Sequence, residues 1–159
     1  MTTDLTEFEE LLVDPLTNEK LLRVLELLIE ENFAERGCLW LPNRDLFYIG
    51  DESLRERFPF SRSVVKRVLS KGRGFVSFDS ETDERLEPSK SIAVNNVRSC
   101  LCSAARSQEG VIRAVAYFDN CASVGNFTEE DLGFLNSVMA LFPSTDLVID
   151  IEGEDSPFS

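Results

Sequence analysis

Apolar residues recur at Leu21, Val24, Leu25 and Leu28, the spacing of one helical face, and Asp14-Pro15 supplies a start signal because proline is tolerated at the first helical position. The pattern predicts a helix over 15–34. Leu22, Leu27 and Ile29 fall off that stripe, so the helix is apolar around more of its circumference than a surface helix needs, and a second chain is the expected cover. Two short apolar runs, Gly37 to Leu41 and Leu46 to Gly50, flank Pro42-Asn43-Arg44-Asp45 and read as a β-hairpin. After a polar stretch containing Phe58-Pro59-Phe60, Val64, Val65, Val68 and Leu69 mark a short helix that begins at Ser61 and stops at Gly72.

Gly74 to Phe78 is a third strand. Asp79 to Asn96 is charged and poorly periodic, with Pro88 as a breaker, and is expected to be loop and short helix. Val97 to Ala105 and Val111 to Phe118 form a second hairpin across Arg106-Ser107-Gln108-Glu109-Gly110. Thr128 and Asp131 make a capping box before the helical stripe Leu132, Leu135, Val138, Met139 and Phe142, which Pro143 ends. The order predicts an α+β fold, an antiparallel sheet with the terminal helices together on one face. Residues 1–14 are then an N-terminal extension, 15–143 the domain, and 144–159 an acidic tail or linker in which Asp146-Leu147-Val148-Ile149-Asp150-Ile151 is apolar enough to pair as a strand.

Composition narrows the chemistry. At 159 residues, 43% apolar and 28% charged, the chain is of one-domain size. Its 29 acidic and 16 basic residues give a net charge of -13, which repels nucleic acid and anionic lipid, so neither is an expected partner. No uninterrupted apolar run approaches a membrane span and the first ten residues are acidic, from which a cytoplasmic location is expected. There is no histidine, which removes imidazole bases, His-dependent triads, His-ligated haem and mixed Cys/His zinc sites. Cys38, Cys100, Cys102 and Cys121 match neither a zinc knuckle nor a disulfide framework, so reduced thiols and no metal or cofactor are expected.

From Ser61 to Phe142 the sequence resembles the GAF family, particularly the N-terminal GAF domains of bacterial enhancer-binding activators and those linked to FHA, kinase or cyclase modules. The resemblance lies in SRSVVKRVLSKGRGFVSFDSETDERLEPSKSIAVNNVRSCLCSA and RAVAYFDNCASVGNFTEEDLGFLNSVMALF. Ala104-Ala105 and Ala114 depart from the family's usual Pro-Leu pair and glycine. Cyclic-nucleotide-binding members share an Asn-Lys…Phe-x-x-x-Asp-Glu signature, of which this chain keeps Asn120, Phe127 and Asp131 but has Cys121 and Leu132 in place of the Lys and Glu. That departure argues against a cyclic nucleotide, and Asp131 has the alternative task of capping the last helix.

The resemblance implies a GAF-like sheet with an irregular pocket-covering segment, Asp79 to Asn96, on the face opposite the terminal helices. Phe78, Asp79, Asp83, Ser91, Arg98, Cys100 and Tyr117 would line the pocket, with Arg98 as a bidentate donor to a carboxylate or phosphate. The structural alternative pairs Arg98 with Asp79 or Asp83 to hold the segment down. Cys100 and Cys102 project from one face of a strand, as sensor thiols or, more simply, as buried packing residues. Trp40, Phe47, Tyr48, Phe58 and Phe60 are expected to fill the core rather than stack a ligand. Free methionine sulfoxide reductases are standalone GAF enzymes, but their cysteine-bearing loops have no counterpart here. The functional expectation is a non-catalytic sensor domain that binds a small molecule or a protein partner, dimerises through its terminal helices and signals to an effector protein or domain; the alternative is a protein-interaction adaptor whose pocket is filled by its own side chains and takes no ligand.

Overall fold

The computed structural model describes residues 4–42, 44, 46–51, 62–79, 83, 85, 97–122 and 127–143. Ser91, Phe58, Phe60 and the acidic tail lie outside the described residues. The elements run α1 (Thr6–Leu11), α2 (Asn18–Asn32), β1 (Arg36–Trp40), β2 (Phe47–Ile49), α3 (Arg62–Lys71), β3 (Phe75–Ser77), β4 (Ser99–Arg106), β5 (Ile112–Asn120) and α4 (Glu129–Met139). The strands form one antiparallel sheet in the order β2-β1-β5-β4-β3. The α+β architecture expected from the sequence is therefore present.

Helix α2 begins three residues later than Pro15 because Thr17 supplies the cap, its hydroxyl accepting from Lys20 N–H at 3.2 Å. It ends at Asn32, since Phe33 adopts the left-handed conformation (φ 52°) and the Ala34 N–H turns back to the Ile29 carbonyl. The helix that the sequence pattern missed is α1. Its Phe8 is buried and meets Phe134 of the α4 helix edge-on, centroids 5.7 Å apart, so the N-terminal segment covers apolar surface contributed by α2 and α4.

Both faces of the sheet are buried, which explains the near-continuous apolar runs of β4 and β5. On β5, Ala114, Ala116 and Phe118 face α1, α2 and α4, together with Leu39, Val76, Leu101 and Ala105 from neighbouring strands. Val115 and Tyr117 face the other way, with Cys38, Trp40, Phe75, Cys100 and Cys102, against Val64, Val65 and Val68 of α3. The terminal helices thus share one face as anticipated. The β4–β5 hairpin carries a bulge between Ala105 and Arg106, and its turn uses Gly110 at φ +84°, with the Gly110 N–H on the Ser107 carbonyl at 2.9 Å. At α4 the capping box is complete, Asp131 N–H to Thr128 Oγ1 at 3.1 Å and Thr128 N–H to Asp131 Oδ2 at 2.9 Å.

Candidate functional site

The sheet face beneath α3 gathers most of the residues that the sequence singled out. Phe78 and Asp79 follow β3, Arg98 precedes β4, and Cys100 and Tyr117 lie on β4 and β5. Antiparallel register places Cys100 between Ser77 of β3 and Asp119 of β5, and Tyr117 between Cys38 and Cys102. Cys100, Cys102 and Tyr117 are fully buried, whereas Phe78 is 48% exposed.

The charged members of the group have partners within the protein. Arg98 Nη2 stands 3.7 Å from Asp79 Oδ1, the arrangement that would hold down the segment after β3. Asp83 is gripped by Arg85 in a two-pronged contact, Nε to Oδ1 at 2.9 Å and Nη2 to Oδ2 at 2.6 Å. Arg85 also donates to the Val76 carbonyl at 2.6 Å and lies over the Phe75 ring, 4.3 Å from its centroid. These donors hold the Asp83 carboxyl down at about 2, and Ser77 Oγ is near enough to contribute without reaching hydrogen-bond geometry.

Sequence reasoning missed the strongest polar contact on this face. Arg36 and Asp119 are cross-strand partners on β1 and β5, and the Tyr117 hydroxyl donates to Asp119 Oδ2 at 2.7 Å. Burial pushes the Asp119 carboxyl above the usual carboxylate range, while Arg36 and Tyr117 pull the other way. An Asp near the end of an apolar strand was the available signal, but only the register identifies its partner.

Asn120, one of the retained signature positions, joins β5 to the α2–β1 corner: its Oδ1 accepts from Glu35 N–H at 2.6 Å. The Glu35 carboxylate in turn accepts from Cys121 and Ala122 N–H, each at 3.1 Å. Phe127 is buried in the core of the helix-covered face and Asp131 caps α4, so all three retained positions carry structural contacts.

The thiols are unsuited to attack. Cys38, Cys100 and Cys102 are buried and burial pushes each far above the ordinary thiol range; Cys121 is half-buried and also raised. No group of three or more Cys, Asp or Glu among the described residues is placed to hold a metal ion. No described helix is long and apolar enough to cross a membrane.

A concave feature lies away from these residues. An open cleft of about 580 Å³ runs between α3 and α4 along the outer edge of β4, with Val68, Gly72 and Arg73 on one side, Leu132, Asn136 and Ala140 on the other, and Ser103 to Arg106 as its floor.

Comparison with known proteins agrees with this architecture. The family model described as "GAF domain" matches residues 18–142. A search of curated protein sequences found no match. Among solved structures, the free methionine-R-sulfoxide reductase of Neisseria meningitidis in complex with its substrate is similar at TM-score 0.60 and 15% identity, with 89% of each chain covered. The GAF domain/HD domain protein of Geobacter sulfurreducens matches at TM-score 0.54 and 16% identity, covering 86% of this chain and 89% of that one. The Nlh2 GAF domain of A. aeolicus in an inactive state matches at TM-score 0.56 and 14% identity, covering 86% and 89%. At such identities the likeness is one of fold.

Proposed function

The chain belongs to the GAF domain family, a family of regulatory and sensory modules, and from that premise we propose that it is a non-catalytic regulatory domain that receives its signal through protein contacts. One observation carries this reading: the carboxylates, the guanidinium and the phenol expected to bind a ligand each have a partner within the protein. Asp83 is held by Arg85, Asp79 by Arg98, the Tyr117 hydroxyl by Asp119, and the Cys100 and Tyr117 side chains are packed under α3. Groups engaged in this way are less available to orient a small molecule. The buried, high-pKa thiols speak against a cysteine-based reductase despite the shared fold.

A small-molecule sensor is the second reading, and Arg98 favours it. Its side chain is 38% exposed and its contact with Asp79 is long, so the guanidinium can be redirected to a carboxylate or phosphate at little cost. Native mass spectrometry of the purified chain separates the two. The protein-contact reading expects the mass of the chain alone or of its oligomer; a stoichiometric small molecule, lost in Arg98→Ala, establishes the sensor instead.

Dimerisation through the terminal helices rests on a narrower surface than the sequence implied. Leu27 is buried and Ile29 packs partly into the core, which leaves Leu22 (41% exposed) on α2 and Phe33 (80% exposed) at its C-terminal cap. Light scattering tests it: a dimer that Leu22→Glu with Phe33→Glu converts to monomer is expected, and a wild-type monomer at high micromolar concentration excludes this interface.

A further inference from the structure

Helix α3 reverses the charge pattern of the other helices. Between residues 62 and 73 every charged side chain is a cation, Arg62, Lys66, Arg67, Lys71 and Arg73, in a protein of net charge -13. The other described helices carry acids in their first turns, Glu7 and Glu9 in α1, Glu19 in α2 and Glu129 to Asp131 in α4, where the helix dipole favours them. The first turn of α3 has none, and Arg62 begins it. The dipole accounts for Lys71 in the last turn, but it opposes Arg62.

The cations are also gathered on one side. Val64, Val65 and Val68 are buried against the sheet, and at about 100° per residue the side turned away from them holds Arg62, Ser63, Lys66, Arg67, Ser70 and Lys71. Arg62 with Lys66, and Arg67 with Lys71, stand four residues apart, a spacing at which like charges destabilise a helix. Arg67 leans over the Phe75 ring, 5.5 Å from its centroid. Lys66, Lys71 and Arg73 are exposed and have no ion pair among the described residues. Positive charges crowded in this way are relieved when an anionic group docks on them.

The helix is tied down at its C-terminal end. Arg106 of β4 donates to the Val68 and Leu69 carbonyls at 3.1 and 2.7 Å, and the Gly72 N–H donates to the Val68 carbonyl at 3.0 Å. The cations are therefore presented from an ordered element, and docking on them does not require the ordering of a loop.

The chemistry of the partner follows from what surrounds α3. A bilayer surface needs apolar side chains to insert, and Val64, Val65 and Val68 are committed to the core. A long polyanion such as nucleic acid meets the field of the whole net-negative protein as well as the helix, and a second copy carries that same negative charge. A short acidic segment feels chiefly the cations within a Debye length, about 8 Å at physiological salt, and needs no apolar pocket. Resting on the reading that this domain receives its signal through a protein contact, we infer that the solvent face of α3 is the docking surface. Its partner is an Asp- or Glu-rich segment of another protein, held by charge-assisted contacts to Lys66, Lys71 and Arg73.

A fluorescein-labelled decaglutamate peptide, titrated with the full chain and read by fluorescence anisotropy, tests this. Binding is expected at an ionic strength of about 20 mM, and K66Q/K71Q/R73Q is expected to weaken it by about tenfold or more. K20Q/R23Q also adds negative charge, but on α2 across the sheet, and is expected to bind as the wild type does. The α3 variant is expected to melt at or above the wild-type temperature, because it removes like-charged neighbours. Peptide-induced amide shifts of the wild-type protein are expected to be largest within residues 62–73. No binding at low salt, equal weakening by the two variants, or shifts centred elsewhere overturns the inference. Tighter binding of decathymidylate, retention on phosphatidylserine vesicles that the α3 variant loses, or self-association that it abolishes also overturns it, because the partner is then of another kind. Failure of the peptide with no small molecule retained in native mass spectrometry removes this surface and leaves the protein-contact reading in place; a retained small molecule removes that reading itself.

Discussion

Arg36 and Asp119 stand directly opposite one another on β1 and β5, Nε to Oδ1 at 2.5 Å and Nη2 to Oδ2 at 3.2 Å, with the Asp119 side chain wholly buried and that of Arg36 11% exposed. Burial alone lowers the Arg36 pKa, but the hydrogen bond and charge of Asp119 outweigh it and hold the guanidinium protonated. Removing one partner of such a pair leaves an uncompensated buried charge. Asp119→Asn is expected to lower stability by about 3 kcal/mol or more in urea denaturation. The double replacement Arg36→Met with Asp119→Leu is expected to cost much less than the sum of the single changes, because it removes the desolvated charges together.

Three of the four thiols are closed to solvent, so native protein is expected to react with a mild alkylating reagent at Cys121 alone, and at all four cysteines after denaturation. Rapid native labelling of Cys100 or Cys102, read by peptide mass spectrometry, would contradict the packing described for α3.

Gly37 permits a close approach that no larger residue allows. A Cβ there would fall 2.5 Å from Phe118 Cδ1 and 3.0 Å from Ile29 Cδ1, and Phe118 is fully buried and has nowhere to move. Gly37→Ala is expected to cost about 1–3 kcal/mol through overpacking between β1, β5 and α2, measured as a shift of the urea midpoint at constant slope.

The capping box fixes the start of α4. Thr128→Ala removes the acceptor for the Asp131 N–H and is expected to cost about 1 kcal/mol, with Thr128→Ser close to wild type in thermal denaturation.

The Asp83–Arg85 contact sets a pH dependence. The folded carboxyl titrates at about 2, below the ordinary Asp value near 3.9, so its contribution is fully present above that ordinary value and is lost as pH falls towards 2. The stability gap between wild type and Asp83→Asn is expected to be constant near neutrality and to close below about pH 4. Because Arg85 is 46% exposed, the gap is small and shrinks in high salt. A gap that widens on acidification would refute the assignment.

How much of this was legible beforehand varied with the range of the interaction. The hairpins, α3 with its glycine stop and the Thr128–Asp131 box were readable because each depends on residues a few positions apart. The start of α2 was misplaced by three residues because proline and Thr17 compete as local signals, and Thr17 is the one that caps, next to the buried Leu16. Helix α1 was missed because Phe8 and Leu12 make a short apolar stripe whose value lies in contacts with α2 and α4. Six of the seven anticipated site residues lie among the described ones, and the pairing of Asp79 with Arg98, and of Asp83 with Arg85 from outside that set, is what changed their meaning.

The sequence by itself determined the element order from α2 onward, the apolar runs of the strands, the net negative charge and the absence of histidine, since all of these are properties of composition or of neighbours along the chain. Tertiary structure alone decided that Arg36 lies opposite Asp119, that the thiols are sealed under α3, and that a cleft runs between α3 and α4. These follow from strand register and from which helix covers which face. Residues separated by more than eighty positions meet at one distance in one register and not in the next, and no local pattern encodes that choice.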